Sequence, residues 1–372
     1  MKYISDINQE FIGFTIHFES LFNNKINEIK SQIEAIKKKI NSFFNYQFVF
    51  SQTPRNYIPD EILPTKLTGN SNILLAQTYD DCIVTGGNFR INFFEEISDE
   101  IDINYKYNYS INKMVGDIKS MIVLRDNRII TAAETSIKVW EKEGNTYKLN
   151  HTLSGHLDNV TCLANFSKER FISGSTDKSV IIWRPVDKTF IVEQILQIDD
   201  VPSCLLGCKF NDIILAAMSN GGISCYKKMN EMSGENNNVN LYNKHTTLTQ
   251  HKGRILALCE LDENHFASGG NNPKLIIWKI EKGEISFLSQ LKGHKSDVTS
   301  IVKLLDGSMA TGSCDHTIII WKLGNLNRYI PSQKITESDR AIFKLIQLKD
   351  ERLCSLNSNK DMIIWKKRNI FY

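Results

Sequence analysis

Three side chains of the types used in nucleophilic hydrolysis lie close together in the chain: His156, Ser173 and Asp177. A carboxylate that steadies an imidazole, which in turn takes a hydroxyl proton, is the arrangement that makes serine an acyl-transfer nucleophile. The same types return at the same separations as His294, Thr311 and Asp315. They return in reduced form as His251, Ser268 and Asn272, and again as Ser355 and Asn359. An active site needs one activated nucleophile in one cleft with an oxyanion pocket, so a trio copied along the chain reads as architecture and no catalytic residue is assigned. The glycine pairs Gly86-Gly87, Gly221-Gly222 and Gly269-Gly270 lack the spacing of a phosphate cradle and read as turn glycines, so no cofactor is expected. Eight cysteines are scattered through apolar runs without a CxxC pair, and Cys204 and Cys208 have no partner pair nearby. That pattern fits reduced thiols, with neither a disulfide framework nor a metal site.

The elements that position these residues repeat. Trp140, Trp183, Tyr226, Trp278, Trp321 and Trp365 close similar apolar runs, and Phe94 closes a related one, which gives seven units. Leu153–Trp183 and Leu291–Trp321 match position for position without a gap. Runs such as VIIW, IIIW and MIIW are apolar on both faces, as strands sandwiched between layers must be, and are too short for packed helices. Each unit reads as a turn, an apolar strand, a charged turn, a strand ending in small residues, another turn, and a strand ending in the aromatic. The composition, 23% charged and 41% hydrophobic with a formal net charge of +3, is that of a globular chain without the basic footprint of a nucleic-acid binder. No secretory signal or membrane-spanning run is read near the start, so the cytosol or nucleus is the expected compartment.

Over residues 58–372 these units resemble the WD-repeat family, whose repeats each form a four-stranded blade. The resemblance implies an all-β fold: a seven-bladed β-propeller of four-stranded antiparallel blades, here preceded by an α-helical segment. It also implies a hydrogen-bonded structural network of His156, Ser173, Asp177 and Trp183, of His294, Thr311, Asp315 and Trp321, and of His251, Ser268, Asn272 and Trp278. Buried hydroxyl, imidazole, carboxylate and indole groups are costly unless each finds a partner, and such a chain satisfies them together. In the family an N-terminal strand completes the last blade. Residues 61–70 parallel residues 150–156 and are the expected closing strand, since only seven residues follow Trp365. Family partners use the upper face around the channel. By position the contact residues here are Leu74, Lys119, Thr161, Pro202, Leu256, Thr299 and Phe343, a mostly apolar set suited to an extended peptide with a hydrophobic anchor. The acidic residues 95–102 and the Asn-rich residues 229–240 read as surface loops.

The expected domains are a helical segment over residues 1–50, a linker over 51–60 and the propeller over 61–372. Between Phe22 and Phe43 apolar residues fall at 22, 26, 29, 33, 36, 40 and 43, a coiled-coil seam that cannot bury its stripe alone. It calls for a partner helix or self-association, with isoleucine at both seam positions favouring trimers or tetramers. The FIGFTIHF stretch before it has no assigned role. Three functional classes fit a helix followed by a propeller. The leading one is a non-enzymatic protein-interaction scaffold; the others are a ubiquitin-ligase substrate receptor or G-protein-β-like signalling subunit, and a structural subunit of a large cytoskeletal, ciliary or ribonucleoprotein assembly.

Overall fold

In the computed structural model, residues 56–368 are described, apart from 65–73, 78–81, 88, 99–102, 113, 115, 168, 230–240, 325–327 and 337, together with Lys25. They form seven four-stranded sheets. The chain divides into two compact units, Tyr57–Lys367, which is the propeller, and Met1–Asn56 with Arg368–Tyr372. The seam over residues 22–43 and the FIGFTIHF stretch lie outside the described residues except for Lys25, which is helical and exposed.

The innermost strands are Leu74–Gln77, Ile118–Val123, Val160–Asn165, Pro202–Cys208, Ile255–Asp262, Val298–Lys303 and Ile342–Gln347. Each packs on the inner strand of the next blade, and the last packs on the first, so the ring is closed. Second and third strands are apolar on both faces because each blade is covered on both sides. The core is accordingly divided into seven wedges between neighbouring blades rather than gathered at one centre. Trp183, Trp278, Trp321 and Trp365 are among its largest fully buried side chains. Phe94 opposite Ile83 and Tyr226 opposite Ile214 hold the register of Trp183 opposite Phe171, so the two non-tryptophan units keep the same geometry.

Two expectations about boundaries need correction. The strand that completes blade seven is Asn56–Pro64, not residues 61–70, and it lies beside Asp361–Arg368. Half of the stretch read as linker is therefore strand. Its register is set by Tyr57, which is buried in the wedge between blades six and seven with Leu304, Ile335 and Trp365. Gln333 fixes it from blade six: the Tyr57 amide donates to Gln333 Oε1 at 2.9 Å, and Gln333 Nε2 donates back to the Tyr57 carbonyl at 3.1 Å. Gln194 of blade three grips Tyr242 of blade four in the same two-way fashion, at 2.8 and 2.9 Å. Gln194 and Gln333 stand in the same register, opposite Ile182 and Ile320. Secondly, residues 95–98 are not loop: Glu95 and Glu96 extend the third strand of blade one opposite Lys106 and Tyr105.

Gly269 and Gly270 likewise lie within a strand, His265–Gly270, not in a turn. A Cβ on Gly269 would sit 2.7 Å from Val298 Cγ1 of the next blade, so close blade-to-blade approach is what glycine permits there.

Candidate functional site

The two complete networks are superposable in their contacts. Trp183 Nε1 donates to Ser173 Oγ at 2.8 Å, and Ser173 Oγ lies 2.7 Å from His156 Nε2. An indole only donates, so the serine spends its own proton on Nε2, which leaves the imidazole proton on Nδ1 facing Asp177 Oδ2 at 3.1 Å. In blade six Trp321 donates to Thr311 Oγ1 at 2.8 Å, Thr311 reaches His294 Nε2 at 2.7 Å, and His294 Nδ1 faces Asp315 Oδ2 at 3.2 Å. Ser173 and Thr311 are fully buried and occupied on both sides, so neither has the open path to substrate that a nucleophile requires.

Ser179 and Thr317 belong to the networks and were not singled out from sequence. Each donates its hydroxyl to the aspartate at 2.6 Å and lies 3.0 to 3.1 Å from the histidine Nδ1. The signal was available: both stand two residues after the aspartate. Burial alone would raise Asp177 and Asp315, but hydrogen bonds from Ser179 and Leu157, and from Thr317 and Lys295, hold both below the usual carboxylate range.

Unit five departs from the expectation. Trp278 donates to Ser268 at 2.7 Å and Ser268 meets His251 Nε2 at 2.7 Å, but Asn272 is not joined to the ring and instead accepts from the Lys274 amide. The cause is Pro273. Lys178 and His316, at the corresponding turn position, have φ of 62° and 68°. Proline is locked near −65°, so that turn cannot form. Elsewhere the network shortens further: Trp140 and Trp365 donate at 2.8 Å to Thr131 and Ser355 without a histidine, and Tyr226 donates to the Gln197 carbonyl of blade three.

Burial lowers all three histidines below the usual value; in His156 and His294 the neighbouring aspartate opposes this, whereas His251, with Lys274 near it, is pushed down to about 4. The folded state thus keeps His251 neutral where the unfolded chain, near 6.5, takes up a proton. Stability from this group is complete above about pH 6.5 and is lost as pH falls towards about 4, an effect of about 3 kcal/mol. The melting temperature is expected to drop across that interval, and less steeply in His251→Gln; identical slopes for the two proteins would show that the imidazole is not held neutral.

At the upper face, where the inner strands begin, six of the seven carry a β-bulge at their second residue or thereabouts. Lys119, Thr161, Leu256, Thr299 and Phe343 occupy it in blades two, three, five, six and seven. In blade four the residue is Ser203, not Pro202, which is the buried equivalent of Val160. In blade one Leu74 pairs with Gly86 as Cys162 pairs with Gly174, one place further along; the equivalent position 73 is outside the described residues. The hydroxyls at three bulges are spent inward. Thr161 donates to Pro202 O at 2.6 Å, Ser203 to Ile255 O at 2.7 Å and Thr299 to Ile342 O at 2.5 Å, each tying its blade to the next. Lys119, Leu256 and Phe343 make no such tie and remain at the rim, Phe343 with 40% of its surface exposed.

Comparison with known proteins falls in line with this geometry. The family model "WD domain, G-beta repeat" matches residues 147–184 and 285–322, each running from the outer strand of one blade to the tryptophan of the next, Trp183 of blade three and Trp321 of blade six. The chain belongs to the WD-repeat family. The crystal structure of the WD40 β-propeller domain of Doa1 is similar to this WD-repeat propeller, with a TM-score of 0.65 and 18% identity over 85% of this chain and 98% of that one. At that identity the likeness concerns fold. Autophagy-related protein 16 of Arabidopsis thaliana is 29% identical over 76 residues, which is 20% of this chain and 15% of that protein's length. The matched stretch is thus a small part of both proteins, and the chain spans about a seventh of that relative's length.

None of the eight cysteines is in a disulfide, and burial pushes Cys162 and Cys225 up to about 12 and Cys259 up to about 11, so these three are thiols of low reactivity. Among the described residues no three His, Cys, Asp or Glu side chains converge as a metal set, and no helix is long and apolar enough to cross a membrane.

Proposed function

We propose that this chain is a non-enzymatic scaffold whose upper propeller face receives an extended segment of another protein, with residues 22–43 as a separate assembly contact. The observation that carries the reading is the division of labour at the bulges. Three hydroxyl residues are consumed in tying blades together, whereas Leu256 and Phe343 are held at the channel mouth without a tie between blades, and Lys119 makes only a loose pair with Asp117 of its own blade. Aliphatic and aromatic side chains fixed at a rim by a rigid ladder lose little freedom on contact and suit a hydrophobic anchor. The repeated His–Ser/Thr–Asp trios support the non-enzymatic half, since their hydroxyls are sealed inside the wedges.

Affinity purification followed by mass spectrometry tests both halves of the proposal. Phe343→Ala with Leu256→Ala is expected to lose partners of the propeller while the melting temperature stays close to that of the unmodified chain. Deleting residues 1–50 is expected to remove a different set of partners, or self-association. An unaltered partner list for the double variant would overturn the upper-face assignment.

A further inference from the structure

A cleft of about 440 Å³ opens on the upper face, lined by Asp117, Lys119, Glu134, Asn159, Thr161 and Arg254, with Val160 and Thr176. Its walls are unlike. Asp117 and Glu134 come from blade two, the first just ahead of the inner strand and the second from the turn between the second and third strands. Arg254 comes from the start of blade five, three blades round the ring and therefore across the channel mouth.

The two carboxylates are brought together by one glycine. Gly116 has φ of +86°, and a Cβ there would lie 2.8 Å from Glu134 Cγ and 2.9 Å from Glu134 Oε1. The side chain of Glu134 thus lies over the Gly116 backbone, next to Asp117. Any other residue at 116 would be strained by its φ and would displace Glu134. Neither carboxylate is spent in the fold. Asp117 Oδ1 is buried and accepts no hydrogen bond, and Asp117 Oδ2 has only the Lys119 ammonium at 3.6 Å, a pair with 28% and 45% of its side chains in solvent. Such a loose exposed pair is worth little and is readily exchanged. Glu134 and Arg254 have no ion-pair partner among the described residues. A buried carboxylate oxygen without a donor is costly, and a donor arriving from outside would recover that cost.

We infer that this cleft seats a lysine or arginine side chain of the bound segment between Asp117 and Glu134, while a carboxylate or carbonyl of the same segment meets Arg254. The inference rests on the upper-face reading and specifies its partner: an extended peptide carrying a basic residue, with a nearby acceptor, beside a hydrophobic anchor at Phe343 and Leu256. Lys119 acts as an internal competitor for Asp117 that an incoming cation displaces.

The test is to pan the full chain against an N-acetylated random heptapeptide library on beads, and then to measure a selected peptide by fluorescence anisotropy at low and high salt. Enrichment of lysine or arginine is expected. The selected peptide should bind Asp117→Asn/Glu134→Gln at least about tenfold more weakly and Lys119→Ala about threefold or more tightly, with both effects reduced by salt. The gain in Lys119→Ala cannot arise from misfolding, and melting temperatures check the double variant. Selection of peptides without a basic residue, selection of none, or retained affinity in the double variant would overturn the inference. Peptides that lack a basic residue yet lose binding to Phe343→Ala with Leu256→Ala would overturn the cation seat alone and leave the upper-face reading standing.

Discussion

Tyr57→Ala is expected to lower stability by about 3–5 kcal/mol, the cost of removing a large buried aromatic from a packed wedge. Tyr57 retains only 2% of its surface and is the closing strand's contribution to the wedge between blades six and seven. Its loss strikes the one blade assembled from both ends of the propeller. Gln333→Ala, which removes both of the bonds that fix the Tyr57 backbone, should cost about 1–3 kcal/mol, and more than truncation of an exposed outer-strand residue such as Ile330. Urea unfolding followed by tryptophan fluorescence reads both. A Tyr57→Ala protein as stable as the unmodified chain would mean that the ring closes through some other segment.

The second large effect is expected at the aspartates. Asp315 accepts from the Lys295 amide at 2.7 Å, the Thr317 amide at 3.0 Å and the Thr317 hydroxyl at 2.6 Å, and it faces His294 Nδ1. Alanine at 315 leaves these donors without an acceptor in a site where the aspartate side chain is 6% exposed, and a loss of about 3 kcal/mol is expected. Asp177→Ala should behave alike. Asn272→Ala, by contrast, removes an acceptor from the Lys274 amide alone and should cost well under half as much. Comparable losses at 272 and 315 would contradict the separation of Asn272 from His251.

These contrasts show what the sequence makes legible. Units marked by an aromatic terminus could be counted even where the residue is Phe94 or Tyr226, because a strand covered on both faces must be apolar throughout and its end packs into a wedge. The contacts of Asn272 were not legible from its spacing alone; the physical information lay in Pro273, one residue on, whose ring excludes the turn. The likeness of residues 61–70 to residues 150–156 runs through Leu67 and Leu153, and it points past the true closing strand, Asn56–Pro64. The periodic signal is different: Tyr105, Tyr147, Phe190, Tyr242, Ile285 and Tyr329 each stand opposite the residue two past the unit's aromatic. Each is followed six positions later by Leu or Ile, as Tyr57 is by Leu63. At the rim, the shift from Pro202 to Ser203 is one of register: Pro202 stands where Ile118, Val160, Ile255, Val298 and Ile342 open the other inner strands, so unit four lacks the β-branched residue that marks the start of the strand.

The pairing of Gln333 with Tyr57 spans 276 residues of chain. During synthesis at roughly 5–20 residues per second, the segment Asn56–Pro64 leaves the ribosome about 15–60 s before its neighbour Asp361–Arg368 exists. Throughout that interval it is an edge with unpaired amides and carbonyls, open to other nascent chains. Among the described strands, the first to be translated is the last to find its sheet neighbour. A circular permutant that begins between blades one and two, ahead of Ile118–Val123, and makes Asn56–Pro64 directly after Arg368 leaves every blade contiguous in the chain and should fold faster than the natural order.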